Sequence, residues 1–129
     1  MLGVRITGKD WLEGGLDISD AICLSAALRE IGIDYVCVSS GGIKSKTNLT
    51  FGPAWQVHLA EAIKKEVKIP TRTAGMITEP GEADNILREG KADLIAIGRQ
   101  LIKEPWFVHR AAKELGYPIK LPNQYLRCL

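Results

Sequence analysis

Two glycine turns are the residues of this chain best suited to chemistry. Each follows a short apolar segment and precedes a predicted helix: Gly75 in Thr73-Ala-Gly-Met-Ile-Thr78, and Gly98 in Ala92-Asp-Leu-Ile-Ala-Ile-Gly-Arg99. Backbone N–H groups at the start of a helix attract anions, and a glycine lets a ligand approach the backbone closely. With the Arg99 side chain beside the second turn, the pattern predicts a binding site for a phosphate group.

Composition argues against several other kinds of function. At 129 residues with a net charge of +2, the chain has room for one domain and no excess of basic charge that would favour nucleic acid. It contains no apolar segment of membrane-spanning length and does not open with a signal peptide, so we expect a cytoplasmic protein that does not bind membranes. The three cysteines are far apart, which predicts neither disulfides nor a metal site. Cys23 and Cys37 are expected to be small core residues.

Hydrophobic periodicity predicts four strands, each followed by a helix. The strands are expected at residues 4–7, 35–38, 71–74 and 94–97. The helices are expected from about residue 18 after an Asp17 N-cap to Gly32, at about 55–67, from a Thr78 cap with Pro80 in the first turn to Gly90, and at about 105–115. The residues expected to be buried on the first three helices are Ala21, Leu24, Leu28, Ile31, Leu59, Ala60, Ile63, Val67, Ala83, Ile86 and Leu87.

Four consecutive strand–helix units imply an α/β fold with a parallel sheet. A small doubly wound sheet and half of a (β/α)₈ barrel both fit this order. The loops favour the barrel, because the polar and glycine-rich loops all follow strands whereas the helix-to-strand turns are short. We therefore predict a parallel (β/α)₄ half of a TIM barrel at residues 1–116, followed by a tail at residues 117–129.

Several motifs resemble the C-terminal half of the old yellow enzyme family of NADH:flavin oxidoreductases, in its bacterial YqjM-like branch. The matching segments, in the family's order, are Val4-Arg-Ile-Thr-Gly-Lys-Asp-Trp11, Gly14-Gly-Leu-Asp17, Val38-Ser-Ser-Gly-Gly42, Ala74-Gly-Met-Ile-Thr78, Ala92-Asp-Leu-Ile-Ala-Ile-Gly-Arg99 and Gln124-Tyr-Leu-Arg127. On this resemblance the four predicted strands correspond to strands five to eight of the family barrel.

The resemblance implies an oxidoreductase unit that binds FMN and passes a hydride from NADH or NADPH to an activated alkene. It implies that Gly75, Gly98 and Arg99 hold the FMN phosphate. Arg5 would lie near the flavin ring, where a cation favours electron density at N1 and C2=O, and Ser39 and Ser40 would lie near the same ring. Arg127 matches a tail arginine that reaches into a neighbouring subunit's active site.

The chain also departs from the family pattern. Arg72 replaces a small residue of the seventh strand, so its side chain must point outward or occupy space near the cofactor. The segments matching the family's first four strands, which supply the groups that bind the substrate oxygen, are missing. No catalytic residue is therefore assigned.

Half a barrel leaves two sheet edges and one sheet face uncovered. The residues expected on that inner face are Ile6, Val36 and Ile95, or their neighbours by alternation. We expect the chain to form a homo-oligomer or to associate with a missing N-terminal half, and to take a small-molecule substrate. The alternative is a non-catalytic, truncated homologue that keeps only the phosphate- or nucleotide-binding half-barrel.

Overall fold

The computed structural model describes residues 1–41, residue 43 and residues 51–128. Gly42 of the Ser-Ser-Gly-Gly motif and Leu129 of the predicted tail lie outside the described residues. The strands are β1 (Gly3–Thr7), β2 (Tyr35–Ser39), β3 (Thr71–Thr73) and β4 (Leu94–Ile95). The helices are α1 (Ile18–Glu30), α2 (Val57–Val67), α3 (Pro80–Arg88), α4 (Arg99–Lys103) and α5 (Phe107–Glu114), followed by a 3-10 helix (Asn123–Cys128).

All four strands are parallel and lie in the order β1-β2-β3-β4. In this register Arg5 pairs with Cys37, Cys37 with Arg72, and Arg72 with Leu94. Each new strand is added beside the strand that precedes it in the sequence. The strand order therefore never reverses, as it does in a doubly wound sheet. The predicted parallel (β/α)₄ half-barrel is confirmed.

The core lies between the sheet and its helices. Val36 and Val38 of β2 are fully buried, as is Ile63 of α2, and Ile6 of β1 joins the same cluster. Of the two sets expected on the inner face, the first is wrong: Ile6 and Val36 belong to the helix-facing core and Ile95 packs against it. Their neighbours by alternation lie on the inner face instead. Strand alternation separates two faces but does not say which one the helices cover.

The opposite face of the sheet carries polar side chains. Arg5, Cys37 and Arg72 alternate with the core residues and so project away from the helices. In the described part of the chain no helix packs on this side, so this open face (Arg5, Tyr35, Cys37, Ser39 and Arg72) is where the missing part of a barrel would lie.

Helix α1 begins as predicted and buries a narrower stripe than predicted. Asp17 caps it in a capping box with Asp20. Ala21 and Ser25 are buried, whereas Leu24 and Ile31 are 47% and 75% exposed. Leu24 lies at the edge of the contact stripe, and Ile31 follows the last helical residue, where the chain turns toward Gly32. Cys23 is exposed on the same helix, contrary to expectation, whereas Cys37 is buried as expected.

The other helices agree with the sequence in part. The four residues expected to be buried on α2 are all buried. On α3, Ile86 is buried but Leu87 is 40% exposed. The N-cap of α3 is Glu79 and not Thr78, since Pro80 opens the helix and holds the residue before it in an extended conformation. Strand β4 is shorter than predicted and ends at Ile95.

In the portion of the chain that the structure describes, no helix is both long enough and apolar enough to span a bilayer.

Candidate functional site

A cavity of about 860 Å³ opens at the carboxyl ends of the strands. Its walls come from Arg5 of β1, Ser39 of β2, the loop after β3, the loop after β4, and α4. Five of the six residues expected to bind the cofactor border this one cavity: Arg5, Ser39, Gly75, Gly98 and Arg99. The parallel sheet is the reason, because it brings the carboxyl end of every strand to the same edge.

Gly75 occupies a backbone conformation that suits glycine. Its φ is 120°, and a Cβ added there would lie 3.1 Å from two atoms of the Trp55 indole. The next residue, Met76, also has a positive φ, of 55°. These two residues turn the chain sharply from β3 into the cavity wall, and Trp55 closes the space behind the turn.

Gly98 forms the second turn and is the N-cap residue of α4. Among the described residues, the N–H groups of Gly75, Met76, Gly98 and Arg99 donate to no other group of the protein. These N–H groups therefore remain available to a ligand, and the exposed Arg99 side chain adds a positive charge beside them. Backbone donors together with a guanidinium favour an oxyanion such as a phosphate.

Arg5 is held in place by Ser39. The Arg5 Nη2 atom donates a hydrogen bond of 2.9 Å to Ser39 Oγ, across the pair of strands β1 and β2. Arg5 is exposed on the open face of the sheet, so the rest of its guanidinium is accessible from the cavity.

Ser40 does not border the cavity in the described part of the chain. Its Oγ accepts a hydrogen bond of 3.1 Å from Gln56 Nε2, and Gln56 is 6% exposed and forms part of the wall. Ser40 therefore lies behind the wall and orients a residue that sequence reasoning missed. An isolated glutamine before a helix gives no signal of such a position.

Arg127 lies in the 3-10 helix, is exposed, and is not among the described residues that border the cavity. Its predicted position in a neighbouring subunit's active site stays a prediction.

Arg72 borders the cavity, so of the two positions expected for it the structure selects the one near the predicted cofactor site. Its guanidinium lies 5.4 Å from the centroid of the Tyr35 ring. A hydrogen bond with the Cys37 thiol raises the pKa of Arg72 above its ordinary value. The sequence signal was present, since a basic residue in a short buried strand is costly unless it has a partner or a function.

The cavity is strongly cationic. Four of its described wall residues carry a positive charge (Arg5, Arg72, Arg99 and Lys103), and none carries a negative one. None of the four forms an ion pair within the described residues. Uncompensated cations around one cavity favour a ligand with anionic groups.

The family model that matches the chain covers residues 1–117 and describes the NADH:flavin oxidoreductase / NADH oxidase family. An NADPH dehydrogenase of Bacillus subtilis (strain 168) is 40% identical over 126 residues, which are 98% of this chain and 37% of that protein. An NADPH dehydrogenase of Bacillus pumilus (strain SAFR-032) is 43% identical over the same shares of the two chains. The chain thus spans little more than a third of these relatives.

Solved structures share the fold at lower identity. A 2-naphthoyl-CoA reductase complex superposes with a TM-score of 0.70 at 24% identity, over 88% of this chain and 18% of that one. Histamine dehydrogenase from Rhizobium sp. 4-9 gives a TM-score of 0.71 at 18% identity, over 88% of this chain and 16% of that one. The fold, the order of the motifs and the match over residues 1–117 agree, and the chain belongs to the NADH:flavin oxidoreductase / NADH oxidase family.

Proposed function

We propose that this chain is the phosphate-binding half of an FMN-dependent NAD(P)H oxidoreductase. One observation carries the proposal: the turns after β3 and β4 border the same cavity, together with Arg99 and Arg5. Family membership and the NADPH dehydrogenases among the relatives support FMN as the cofactor and NADPH as the hydride donor.

The chain's own residues fit such a cofactor at two places. The N–H groups of Gly75 and Gly98, which donate to no group among the described residues, and the charge of Arg99 would hold the phosphate. Arg5, oriented by Ser39, would bring a positive charge to the pyrimidine edge of the flavin, where it favours electron density at N1 and C2=O. The bound cofactor would supply hydride transfer from the nicotinamide to an activated alkene.

The open face of the sheet is relevant to whether this chain forms the active site by itself. Because the chain spans 37% of the length of a relative such as the Bacillus subtilis enzyme, the rest of such a protein is where the alkene-binding groups would come from. We propose that the polar open face is covered either by that missing half or by a second copy of this chain. The competing function is a non-catalytic homologue that binds only the nucleotide.

A titration of the purified chain with FMN tests the binding step. Binding is measured by the quenching of the flavin fluorescence. We expect saturable binding that Arg99→Met weakens by about tenfold or more, because a charge-assisted contact to the phosphate is lost. Lys113→Met is the matched control, since Lys113 is exposed on α5 and does not border the cavity. If the wild type does not bind FMN, or if Arg99→Met binds as tightly as the control, the proposal is wrong.

Addition of NADPH to the FMN-loaded chain separates the two candidate functions. Loss of the visible flavin absorbance would support an oxidoreductase unit. Retention of that absorbance, with FMN bound, would support the nucleotide-binding homologue.

A further inference from the structure

The open face of the sheet brings a second arginine to the cavity, away from the glycine turns. Arg72 is the middle residue of β3, whereas Gly75 lies in the turn after that strand. Arg5 on β1 and Arg72 on β3 both pair in register with Cys37 on β2, which lies between them. The backbones of the two arginines are therefore two strand spacings apart, roughly 10 Å. Arg72 therefore lies within the sheet, whereas Gly75, Gly98 and Arg99 lie in the segments that follow the strands.

The protein holds the Arg72 guanidinium in a defined orientation. The centroid of the Tyr35 ring lies 5.4 Å from it, and its register neighbour on β2, Cys37, is 1% exposed. The Tyr35 ring in turn rests over Gly3, where an added Cβ would lie 2.2 Å from a ring carbon. A preorganised guanidinium loses little conformational freedom when it binds an anion.

The charge of Arg72 has no carboxylate partner within the described residues. Its Nε atom is buried and makes no hydrogen bond there. A half-buried cation without a counter-charge costs free energy, and Arg5 on the same face adds repulsion. An anion bound between these arginines would relieve both costs.

We propose that Arg72 anchors a second anion subsite, which takes the carboxylate of a small apolar acid. A guanidinium binds a carboxylate through two parallel hydrogen bonds. Met76, Ile95 and Leu101 border the same cavity and offer apolar contacts to the body of such a molecule. These contacts favour an organic carboxylate over a strongly hydrated inorganic ion.

Benzoate is a suitable probe because it joins a carboxylate to an apolar ring. Its binding to the FMN-free chain is measured by titration of the backbone amide NMR spectrum at constant ionic strength. We expect saturable shifts at β3 and β4, and an affinity that Arg72→Met lowers by about tenfold, the loss expected for a charge-assisted hydrogen bond. Arg72→Lys keeps the charge without the planar fork, and we expect it to bind benzoate with an affinity between those of the wild type and Arg72→Met.

Two further variants distinguish the Arg72 subsite from the predicted phosphate site at the glycine turns. Arg99→Met removes the charge at the glycine turns and should leave benzoate binding within about twofold of the wild type, because Arg99 lies at the start of α4 and not in the strand that carries Arg72. Lys113→Met should have no effect. Equal losses in Arg72→Met and Arg99→Met would show one shared anion site and overturn the inference, as would no loss in Arg72→Met.

Inorganic phosphate at matched ionic strength identifies the ligand chemistry. If phosphate displaces benzoate from the Arg72 site and binds there as tightly as benzoate does, the assignment to a carboxylate is contradicted. The benzoate experiment contains no FMN, so it can succeed when the FMN titration fails, and the two proposals stand or fall separately.

Discussion

At the scale of single residues, the backbone of Gly75 decides the shape of the cavity. Residues with side chains rarely adopt its φ of 120°, and an added Cβ would lie in tight contact, 3.1 Å from the Trp55 indole. Gly81 in the first turn of α3 is a useful contrast, because an added Cβ there would meet nothing within 4 Å. Gly75 is therefore required by its backbone conformation, whereas Gly81 is not.

We expect Gly75→Ala to lower the free energy of unfolding by about 1–3 kcal/mol, the cost of a residue forced into a sparsely populated backbone region. Gly81→Ala should be neutral or should stabilise the protein by up to about 1 kcal/mol, since alanine is the better helix former. Urea unfolding followed by circular dichroism measures both. Equal stability of the two variants would contradict the geometry of the first turn.

The cysteines give a second test at this scale. Cys23 is exposed on α1 and Cys37 is 1% exposed in β2. Reaction of the folded protein with iodoacetamide should label Cys23 rapidly and Cys37 only after denaturation, because the alkylating agent must reach the sulfur. Peptide mapping by mass spectrometry distinguishes the two sites, and rapid labelling of Cys37 in the folded protein would show that the open face is rearranged.

At the scale of elements, α1 depends on its capping box. The Asp17 side chain accepts hydrogen bonds from the backbone N–H and from the hydroxyl of Ser19, both of which lower the pKa of Asp17. In return, Asp20 accepts a bond from the Asp17 N–H. The helix start was therefore readable from residue types alone, whereas its buried stripe was not.

The lowered pKa fixes the direction of a pH effect. A carboxyl whose pKa is lower in the folded state stabilises the protein above its unfolded pKa, and this contribution is lost as the pH falls through the folded pKa. We expect Asp17→Asn, which keeps a capping oxygen but cannot titrate, to show less acid destabilisation than the wild type. Melting temperatures measured from neutral to acidic pH test this, and parallel curves for both proteins would contradict it.

At the scale of the whole molecule, the uncovered face and edges of the sheet dominate. β1 and β4 each have one neighbour within the described sheet, so each presents unpaired backbone groups. The open face carries Arg5 and Arg72, and two such faces brought together repel each other. Self-association of this chain should therefore respond to salt.

We expect the isolated chain to associate at micromolar concentration and to associate more strongly as salt rises, because screening weakens the repulsion between arginines. Arg72→Met should associate more strongly than the wild type at low salt, and Lys113→Met should not. Sedimentation velocity measures this. A compact monomer at all salt concentrations would contradict both the association and its electrostatic control.

The predicted boundary between the half-barrel and the tail stays a prediction. Contacts among the described residues connect the segments on either side of it. Arg88 Nη2 donates to the Tyr117 hydroxyl at 2.8 Å, the Tyr117 N–H donates to the Ala112 carbonyl at 2.8 Å, and the rings of Trp106 and Tyr125 lie 5.2 Å apart. We propose that residues 1–116 form the folding unit and that the tail packs on it through these aromatic residues.

Much of the site followed from the sequence because it depends on strand ends. Gly75, Gly98, Arg99 and Ser39 each end or follow a strand, and a parallel sheet gathers such positions at one edge. Arg5 lies in the middle of β1, and its side chain reaches the same cavity. Gln56 and Trp55 could not be found in this way. They enter the cavity wall from the start of α2, and their positions depend on how that helix packs.

The amino-acid sequence alone determined the order of strands and helices, the parallel sheet and the two glycine turns, because these features depend on local periodicity and on backbone conformations that glycine favours. The tertiary structure decided which face of the sheet the helices cover. It placed Ile6 and Val36 in the core and turned Arg72 toward the cavity, against Tyr35 and Cys37. The two faces of a strand alternate identically in the sequence, and only the packing of the helices distinguishes them.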